Sequence, residues 1–441
     1  MKTEQINDIV EYIKSHEKSP SDFLVGSEFE YFVCEKDTLE AVSYFGNDGV
    51  ESTLKELLNK GYEGIYENNH LLGLKNTEAT ITLEPGSQLE ISVIPSRSIS
   101  DIEKIYKTVC LDVLEVLERK KQVLLATGYR VNTKIDEINL IPKKRYHYMY
   151  EYFKKCGKFA HNMMKQTAST QVSIDYANED DYYQKYRILN TLSPIFYAFF
   201  DNSPYFEKEI YNKHGIRSQI WDNCDDKRCG IMDKAITNKF IYEDYAKYLL
   251  NQEIIFLNDS YEPHTKLTDI YYINKKDYLE HALSMVFPDI RTRKYIEIRV
   301  FDALPYPLNI ALVTFIKGLF YSQDNMALLF AFVNQFSIND VYQTKKQLID
   351  LGNNVKLKDY SVFDIMNYLM DLSEKNLSKN EVNKLRPLKG LLKAKICPKH
   401  ITFDLLHKGQ KEALEWCILT PKYLLEEELW MQEVLMKPIL I

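Results

Sequence analysis

Acidic residues placed inside short apolar segments are the feature that most constrains the fold of this chain. Residues 24–32 (LVGSEFEYF) have the composition of a β-strand, and they contain Glu28 and Glu30. Side chains alternate across a strand, so both carboxylates lie on one face. Adjacent carboxylates repel each other unless a cation lies between them. The pair therefore indicates either a strand face in solvent or a site for a divalent cation.

A second segment, residues 81–92 (ITLEPGSQLEIS), places Glu84, Gln88 and Glu90 at positions of the same parity. The apolar residues at 89 and 91 take the opposite face, so the polar residues lie opposite a row that faces the core. A row of residues in solvent explains this pattern as well. The Pro-Gly step inside the segment, however, predicts a turn or bulge beside a site.

The third segment, residues 293–299 (RKYIEIR), places Glu297 on one face with Tyr295 and Arg299. This pattern fits a ladder of ion pairs between strands, and it equally fits a metal ligand beside arginines that bind phosphate. Magnesium takes oxygen ligands and bridges carboxylates to substrate phosphates. Because three strands present carboxylates in this way, we expect one acidic sheet face that binds magnesium. Its expected metal ligands are Glu28, Glu30, Glu84, Glu90 and Glu297.

The order of the segments predicts the fold class. The strand-like segments are residues 23–34, 79–93, 170–176 and 294–301. The helix-like segments are residues 49–59, 99–121, 177–198 and 242–250, and nearly everything after about residue 308 has a helical pattern. This irregular alternation predicts an α+β fold with an antiparallel sheet and a helical C-terminal part. No internal repeat or Gly/Ser linker divides the chain, so we expect a single domain over residues 1–441.

Charge and cysteine content narrow the function further. The formal net charge of −7 argues against nucleic-acid binding, which needs a basic surface. Charged residues interrupt the most apolar region, residues 310–333, which favours buried helices over a membrane span. Seven scattered cysteines and an N-terminal segment with the spacing of an amphipathic helix favour a reducing, cytoplasmic location. We expect a monomer or homodimer that binds small molecules, with no nucleic-acid or membrane partner.

Several polar groups outside these strands are candidates for binding. In one interpretation, Arg217 binds a carboxylate ligand with two parallel hydrogen bonds and Trp221 forms a wall of the pocket. In the other, the two side chains stack on each other at the surface. Arg228 follows two aspartates, and it either neutralises a phosphate or forms a salt bridge with them. The basic cluster at residues 143–145 has the pattern of a solvated face.

Other motifs give weaker signals. Cys224 and Cys229 form a C-x4-C pair without a convincing fourth zinc ligand, so free thiols are favoured over a zinc site or a disulfide. His161 lies in an apolar setting that favours a core histidine over a catalytic base. No Ser/His/Asp or Cys/His arrangement indicates a protein nucleophile. Neither a P-loop nor a dinucleotide fingerprint occurs, so a bound nucleotide requires another architecture.

A series of short strings gives the chain a family resemblance. They are residues 26–30 (GSEFE), 83–92 (LEPGSQLEIS), 145–146 (RY) with Met149 and Tyr152, 163–164 (MM), Thr167, 171–172 (QV), Asp175, 202–204 (NSP), 217–221 (RSQIW), 225–228 (DDKR) with Gly230, and 295–299 (YIEIR). The chain resembles the plant-type glutamate–cysteine ligase family, which also includes a bacterial enzyme that makes γ-glutamylcysteine for ergothioneine synthesis. The order and rough spacing are kept over about residues 20–305, while residues 306–441 have no matching string.

The resemblance implies a glutamine-synthetase-like carboxylate–amine ligase fold, in which a curved antiparallel sheet holds ATP and two or three magnesium ions. It implies that ATP activates glutamate as γ-glutamyl phosphate and that the cysteine amine then attacks, giving γ-glutamylcysteine. The catalytic residues that it implies are Arg228 and Arg293. The implied cofactor contacts are Arg228, Arg293 and Arg299, and the implied substrate contacts are Arg217, Trp221, Gln88, Thr167 and Met163.

This sequence departs from the family at two places. The family more often has Gly-Gly-Gln where this chain has Gly86-Ser87-Gln88, and it usually has an Arg and often a Cys within the stretch that is KQTASTQ here, residues 165–171. That stretch lies near the substrates in the family, so a ligase of the same scaffold with another amine acceptor is one alternative. A non-catalytic binding or regulatory homologue is a second. The clustered carboxylates argue against the second, because a scaffold without turnover has no use for costly like charges.

Overall fold

An open antiparallel sheet of nine strands lies at the centre of the protein. The structure is a computed structural model that describes residues 3–256, 266–270 and 275–436. The strands are β1 (Val25–Glu35), β2 (Glu63–Glu67), β3 (His70–Lys75), β4 (Ala79–Leu83), β5 (Leu89–Ser96), β6 (Gln122–Leu125), β7 (Thr170–Ile174), β8 (Tyr205–Phe206), β9 (Glu209–Ile210), β10 (Cys229–Gly230), β11 (Phe287–Pro288), β12 (Ile290–Thr292), β13 (Ile296–Ile298), β14 (Lys356–Leu357) and β15 (Tyr360–Ser361). The sheet has the order β12-β13-β7-β1-β5-β4-β3-β2, and β6 pairs with the second half of β1.

Helices surround this sheet and make up most of the C-terminal part. They are α1 (Thr3–Lys14), α2 (Val50–Leu57), α3 (Ile99–Arg119), α4 (Lys144–Phe153), α5 (Ala160–Gln166), α6 (Glu179–Phe199), α7 (Ile216–Asp222), α8 (Asp233–Thr237), α9 (Tyr242–Leu250), α10 (Leu267–Ile270), α11 (Lys275–Leu283), α12 (Leu308–Phe320), α13 (Gln323–Val333), α14 (Ile338–Leu351), α15 (Val362–Lys375), α16 (Lys379–Lys384), α17 (Arg386–Ala394), α18 (Pro398–Leu405), α19 (Gln410–Leu414), α20 (Pro421–Leu425) and α21 (Glu427–Trp430). The predicted α+β class with a helical C-terminal part is confirmed. No helix in the described part of the chain is both long and apolar enough to cross a membrane.

The strand register explains how the carboxylates come together. Phe29 pairs with Ile91 across β1 and β5, and both side chains are fully buried on the sheet face that packs against α3 and α12. The alternate residues face the other way, so Glu30 lies directly opposite Glu90. On the other side of β7, Glu297 of β13 pairs with Ser173. Three strands thus present their acids on the same face.

Residues 79–93 form two strands, β4 and β5, where the sequence predicted one. The bend expected at the Pro-Gly step is a complete hairpin turn, in which the Ser87 amide donates to the Glu84 carbonyl at 2.9 Å and the Glu84 amide donates to the Gln88 carbonyl at 2.9 Å. Ser87 has φ of +69°, in the left-handed region that favours glycine. The turn therefore places a serine where the family more often has glycine.

Candidate active site

A cavity of about 450 Å³ lies over the carboxylate face of the sheet. Every site residue predicted from the sequence lines it except Arg228. These residues are Glu28, Glu30, Glu84, Gln88, Glu90, Met163, Thr167, Arg217, Trp221, Arg293, Glu297 and Arg299. The strands supply the acids, while α5 and α7 supply the facing wall. The structure therefore brings together groups that are up to 271 positions apart, from Glu28 to Arg299.

Burial and mutual repulsion favour the protonated form of three of these carboxylates. Burial, followed by repulsion from Glu297, raises the pKa of Glu28 to about 7. Burial, followed by repulsion from Glu84, raises the pKa of Glu30 to about 7. The pKa of Glu90 is raised well above its ordinary value, first by burial and then by Glu28. Such a cluster is more stable with a cation than without one.

Hydrogen-bond donors of the protein engage two of these carboxylates, those of Glu30 and Glu90. Glu30 accepts hydrogen bonds from the Ser169 amide at 2.7 Å and from the Gln171 side chain at 2.8 Å. Glu90 accepts from the Thr82 hydroxyl at 2.8 Å and from a second hydroxyl, that of Ser92, at 3.2 Å. These bonds fix the direction in which the carboxylates point.

Glu297 has the opposite electrostatic environment. Arg291 donates to its carboxylate at 2.6 Å and Arg299 at 3.0 Å. Burial by itself raises the pKa of Glu297, but the two arginines outweigh that effect and lower it to about 2. Glu297 is therefore held in its ionised form, whereas the raised pKa values of Glu28, Glu30 and Glu90 favour their protonated forms. Arg291 was not among the predicted site residues, although it continues the alternate pattern of residues 293–299 by one step.

The donor set of the cavity suits magnesium. Within the described ranges, no three His, Cys, Asp or Glu side chains converge closely enough to form a ready-made metal-ligand group. The five glutamates nevertheless offer only oxygen donors on one face, and this is the ligand chemistry that magnesium prefers. Like charges pressed together without a cation are the physical sign that the residues fit such an ion.

Three buried donors along the cavity have no hydrogen-bond partner in the described part of the protein. They are Nε of Arg217, Nε1 of Trp221 and Nε of Arg145. The other nitrogens of Arg217 have partners: one donates to the Phe301 carbonyl at 2.7 Å and lies 3.4 Å from the Asp302 carboxylate, and another donates to the Arg299 carbonyl at 3.3 Å. Unpaired buried donors are costly, so the wall is prepared for an acceptor that the protein does not supply.

Gln88 and Thr167 shape the cavity through the backbone. The Gln88 side chain accepts from the Gly86 amide at 2.8 Å and donates to the Thr167 carbonyl at 2.9 Å and the Met164 carbonyl at 3.2 Å. The Thr167 hydroxyl donates to the Met163 carbonyl at 2.7 Å. Both polar side chains thus join the hairpin turn and α5 into one wall. Both residues line the cavity, and their predicted contact with substrate stays a prediction.

Arg228 lies away from the cavity, so the structure does not bring it together with the other residues predicted to bind phosphate. It is buried, and it donates to the Asp225 carboxylate at 3.1 Å, to the Met285 carbonyl at 3.1 Å and to the Glu253 carbonyl. The Tyr152 hydroxyl lies 3.2 Å from its Nε. These partners hold the guanidinium away from the cavity, and it connects three distant parts of the chain.

Two residues of the basic cluster at 143–145 correct the prediction of a solvated face. Lys143 and Arg145 line the cavity, and only Lys144 is exposed. Arg145 donates to the Ser284 carbonyl at 2.9 Å. Arg293 also lines the cavity, and no hydrogen bond or ion pair engages its guanidinium within the described residues. Basic side chains therefore line the cavity together with the acidic ones, and the sequence predicted only some of these basic residues.

The thiols lie outside this site. All seven cysteines are free, including Cys224 and Cys229. His161 stacks on Tyr150 with ring centroids 3.9 Å apart and lies within hydrogen-bond distance of the Tyr150 carbonyl, at 2.9 Å. Neither the cysteines nor His161 lines the cavity. The free-thiol prediction for the two cysteines agrees with the structure.

A second cavity, of about 430 Å³, borders the first. Glu28 and Tyr295 line both. Beyond this shared boundary the lining of the second cavity combines small polar side chains, such as those of Thr80, Ser92 and Ser173, with apolar and charged ones. The two spaces together run along the sheet face from the start of β1 towards the hairpin turn.

Comparison with known proteins assigns the family. The sequence model of glutamate–cysteine ligase family 2 (GCS2) matches residues 24–340. The chain belongs to this family. Glutamate–cysteine ligase A of rice (Oryza sativa subsp. japonica) is 27% identical over 419 residues, which cover 89% of this chain and 82% of the rice protein. The tobacco (Nicotiana tabacum) enzyme is 26% identical over 432 residues, covering 91% and 79%.

A solved structure supports the fold. Glutamate–cysteine ligase of Francisella tularensis, in complex with AMP, has a TM-score of 0.55 and 15% identity, and the likeness covers 95% of this chain and 91% of that one. The carboxylate–amine ligase fold implied by the resemblance is confirmed. The family match also extends to residue 340, beyond the limit of about 305 predicted from the strings.

These findings confirm the family prediction and support ATP-dependent formation of γ-glutamylcysteine, so the chain is a glutamate–cysteine ligase by class. They contradict the predicted cytoplasmic location. The rice and tobacco relatives are named chloroplastic. Free thiols indicate a reducing compartment and do not distinguish one such compartment from another, which is why the location prediction was wrong.

Proposed function

We propose that the cavity binds glutamate, cysteine and the phosphates of ATP with magnesium, and that it forms γ-glutamylcysteine through γ-glutamyl phosphate. The observation that carries the proposal is the meeting of five glutamates with six cations around one space, in a chain of this family. The cations are Lys143, Arg145, Arg217, Arg291, Arg293 and Arg299. A face with both charges suits a metal–polyphosphate, whereas a purely acidic or purely basic face repels one of its components.

The metal ligands in this proposal are the glutamates of the sheet face, namely Glu28, Glu30, Glu84, Glu90 and Glu297. When bound there, magnesium neutralises phosphate oxygens and draws charge from the bond to be broken. The chain's own contribution is to hold the carboxylates in place through the strand register and the hydrogen bonds to Glu30 and Glu90.

The arginines of β12, β13 and the turn between them are placed to hold the phosphates. Arg293 has no partner within the described residues, so it is free to form hydrogen bonds to a phosphate oxygen. Arg291 and Arg299 share Glu297, and we propose that both also hold phosphate oxygens. A magnesium ion bound at Glu297 would supply the positive charge that allows this. Arg293 and Arg299 thus keep the roles that the resemblance implied, and Arg291 replaces Arg228.

Arg217, Trp221 and Arg145 are proposed to seat glutamate. Their three unpaired donors lie along the cavity, two of them on guanidinium groups, so a carboxylate is a ligand that satisfies them. A guanidinium can bind a carboxylate with a short, charge-assisted bond. The α-carboxylate of the glutamate substrate can bind to this wall while its γ-carboxylate points to the sheet. This orientation makes the γ-carboxylate the group that reacts.

The chemistry then needs no protein nucleophile. An oxygen of the glutamate γ-carboxylate attacks the γ-phosphorus of ATP, the bond to the β-phosphate oxygen breaks, and ADP leaves. The cysteine nitrogen attacks the carbonyl carbon of the acyl phosphate, inorganic phosphate leaves, and the nitrogen loses its proton. The arginines stabilise the charge that develops on the transferred phosphate.

We place the nucleoside end of ATP in the second cavity. It adjoins the phosphate region at Glu28 and Tyr295, and its polar lining offers hydrogen bonds to a ribose or a base. The Tyr295 ring is half-buried at the boundary and can stack on a base. Tyr295→Ala is expected to raise the KM for ATP with little change in the KM for glutamate.

Cysteine is the acceptor that the lining favours. Met149, Met163, Met164 and Phe287 are buried and form an apolar part of the wall. A thiol or a small alkyl group packs on methionine and aromatic surfaces, while a charged side chain loses its hydration there. The alternative is another small apolar amine acceptor on the same scaffold.

Product analysis tests the proposal. Purified protein with ATP, magnesium and glutamate is supplied with cysteine or with analogues whose thiol is replaced by a methyl or hydroxyl group, and mass spectrometry detects γ-linked dipeptides. We expect the cysteine product, with the methyl analogue next and the hydroxyl analogue weakest. Product only with another amine contradicts the acceptor, and no product with any amine favours the non-catalytic alternative. Light scattering on the same sample distinguishes the monomer from the homodimer.

A further inference from the structure

Lys345 of α14 is a buried cation that the proposed mechanism does not use. It lies beyond the residues that match the family, and it does not line the cavity. Its side chain is 3% exposed, and its Nζ donates to Asp222 at 2.7 Å and to Asp289 at 3.1 Å. The ring of Tyr197 lies 5.3 Å from the same Nζ. One ammonium group therefore joins two carboxylates.

The two carboxylates lie outside the cavity, but each belongs to a segment that also supplies residues to its lining. Asp222 is the last residue of α7, directly after Trp221 and just over one turn from Arg217. Asp289 immediately precedes β12, and its backbone carbonyl accepts from the Arg299 amide at 3.1 Å. Lys345 thus ties the helix with the proposed glutamate residues to the strand pair with the proposed phosphate residues.

The C-terminal helices also hold the start of α7. The His214 amide donates to the Ile349 carbonyl of α14 at 3.0 Å. Gly215 has φ of +56°, and a Cβ built there would come within 3.0 Å of Leu348. The Gly215 amide donates to Asp201 at 3.0 Å, and this carboxylate lies 4.0 Å from the buried Lys399. Both ends of α7 therefore depend on residues outside the family match.

Packing can hold a helix near a sheet, but apolar contacts slide at little cost. A buried ammonium between two carboxylates resists such sliding, because its interaction with the buried Asp289 is strong and depends on distance where the dielectric is low, and its hydrogen bond to the partly exposed Asp222 is short and directional. Replacing a buried ion pair by apolar residues often leaves stability unchanged, so the value of this pair lies in the geometry that it fixes. Small displacements of substrate-binding groups have large effects on reaction rates.

We propose that Lys345 is a positioning residue that sets the distance between α7 and the β12–β13 arginines, and so governs glutamate binding. The inference rests on the proposed function, in which Arg217 and Trp221 seat glutamate. The inference gives the C-terminal helical part a role in the active site. None of the C-terminal residues that the structure describes lines the cavity itself.

The test uses Asp222→Ala, which removes only the tie to α7 and leaves the Lys345–Asp289 pair in place. The Asp222 side chain is 40% exposed, so this variant is expected to fold. Asp222→Asn is the conservative variant, because its amide oxygen still accepts from Lys345. Lys384→Met is the matched control, since it removes a partly buried lysine that bonds Glu103 at 2.9 Å and Glu427 at 3.0 Å, away from α7.

We expect Asp222→Ala to raise the KM for glutamate about tenfold, with kcat changed less than about threefold and the KM for ATP unchanged. Asp222→Asn should recover most of the loss, and Lys384→Met should keep wild-type constants. An unchanged KM for glutamate in folded Asp222→Ala, with normal wild-type turnover, overturns the inference and leaves the proposed function standing.

A second readout does not need turnover. The chain has three tryptophans, so the emission of Trp221 is obtained as the difference from a Trp221→Phe background. Because Arg299 lies over the Trp221 ring at 5.3 Å, a displaced α7 changes that emission. We expect a change in Asp222→Ala and none in Lys384→Met. If the wild type makes no γ-glutamyl product, the proposed function fails, and this emission still decides whether Lys345 fixes α7.

Discussion

Repulsion within the carboxylate face predicts that the metal-free protein loses stability as the pH rises, and that Glu28→Gln relieves the loss. Glu28 is the informative position because no hydrogen bond engages its carboxylate among the described residues, so the substitution removes charge with few other effects. Its folded pKa of about 7 lies above its ordinary value of 4.5. The fold therefore favours the protonated form. The stability that the protonated Glu28 contributes to the fold is fully present below pH 4.5, and it is lost as the pH rises through about 7.

The size of the expected change in the free energy of unfolding follows from the shifted pKa of Glu28. A pKa raised from 4.5 to about 7 corresponds to at most about 3 kcal/mol at a pH above both values. Glu30 and Glu90 share the repulsion, and the removal of one charge lets the others ionise more easily. We therefore expect Glu28→Gln to raise the free energy of unfolding by about 1–2 kcal/mol near pH ~8, and by a few tenths near pH ~5. Saturating magnesium should abolish the advantage, because the wild-type carboxylate then has its cation.

The assay is urea unfolding followed by far-ultraviolet circular dichroism, at both pH values, with a chelator or with magnesium. Glu151→Gln is the control, since its side chain is 57% exposed and pairs only with Lys154 at the surface. It should change stability by less than about 0.5 kcal/mol at either pH. A Glu28→Gln variant that is no more stable than the wild type near pH ~8 without metal refutes the reasoning, as does an equal gain at both pH values.

Further predictions concern single groups in and around the site. Glu30→Gln should lower turnover by orders of magnitude while the protein stays folded, and near wild-type turnover at saturating magnesium contradicts a metal-ligand role. Ser87→Gly should raise the free energy of unfolding by about 1 kcal/mol, because glycine adopts positive φ without strain; chemical denaturation reads this directly, and a loss of stability speaks against it. Arg228→Met should cost about 3–5 kcal/mol by leaving Asp225 buried without its partner, yet the KM for ATP of the folded fraction should be unchanged; a large rise would restore its predicted phosphate role. Cys224→Ser combined with Cys229→Ser should leave activity and Tm nearly unchanged, and stoichiometric zinc in the wild type that disappears in this variant would contradict the free-thiol assignment.

Much of the sheet face could be predicted from the sequence because strand alternation is a local property. The parity of Glu28 with Glu30, and of Tyr295 with Glu297 and Arg299, survives in the structure. The register that sets Glu30 opposite Glu90 depends on the pairing of two strands about 60 residues apart in the sequence. The sequence therefore indicated that the carboxylates share a face, but it did not indicate which of them lie opposite each other.

What the sequence did not indicate has physical causes as well. The local string at Arg228 gives no sign of the backbone carbonyls of Glu253 and Met285 that surround it in three dimensions. The β2–β3 hairpin was missed, although its turn carries Asn68 and Asn69 at φ of +49° and +66°. Two consecutive asparagines between alternating segments are a recognised turn signal and would have found it.

The C-terminal part shows a different limit of prediction. Its helices were predicted from apolar spacing, but periodicity carries no information on what a helix packs against. Lys345 looks like any solvated lysine in the sequence, and only the fold places it between Asp222 and Asp289. Positioning residues that act at a distance are therefore the class that sequence patterns miss.

Isotope transfer tests the central claim, activation of glutamate by the γ-phosphate of ATP, most directly. Glutamate carrying oxygen-18 in its γ-carboxylate is turned over with ATP, magnesium and cysteine, and the nucleotide and phosphate products are analysed by mass spectrometry. The proposed route places one labelled oxygen in inorganic phosphate for each dipeptide formed, with ADP as the nucleotide product. Activation at the α-phosphorus places the label in AMP and releases pyrophosphate, a route worth excluding because the Francisella tularensis structure holds AMP. Labelled phosphate with ADP is the result that the geometry of Glu28, Glu297 and Arg293 predicts, and labelled AMP would contradict it.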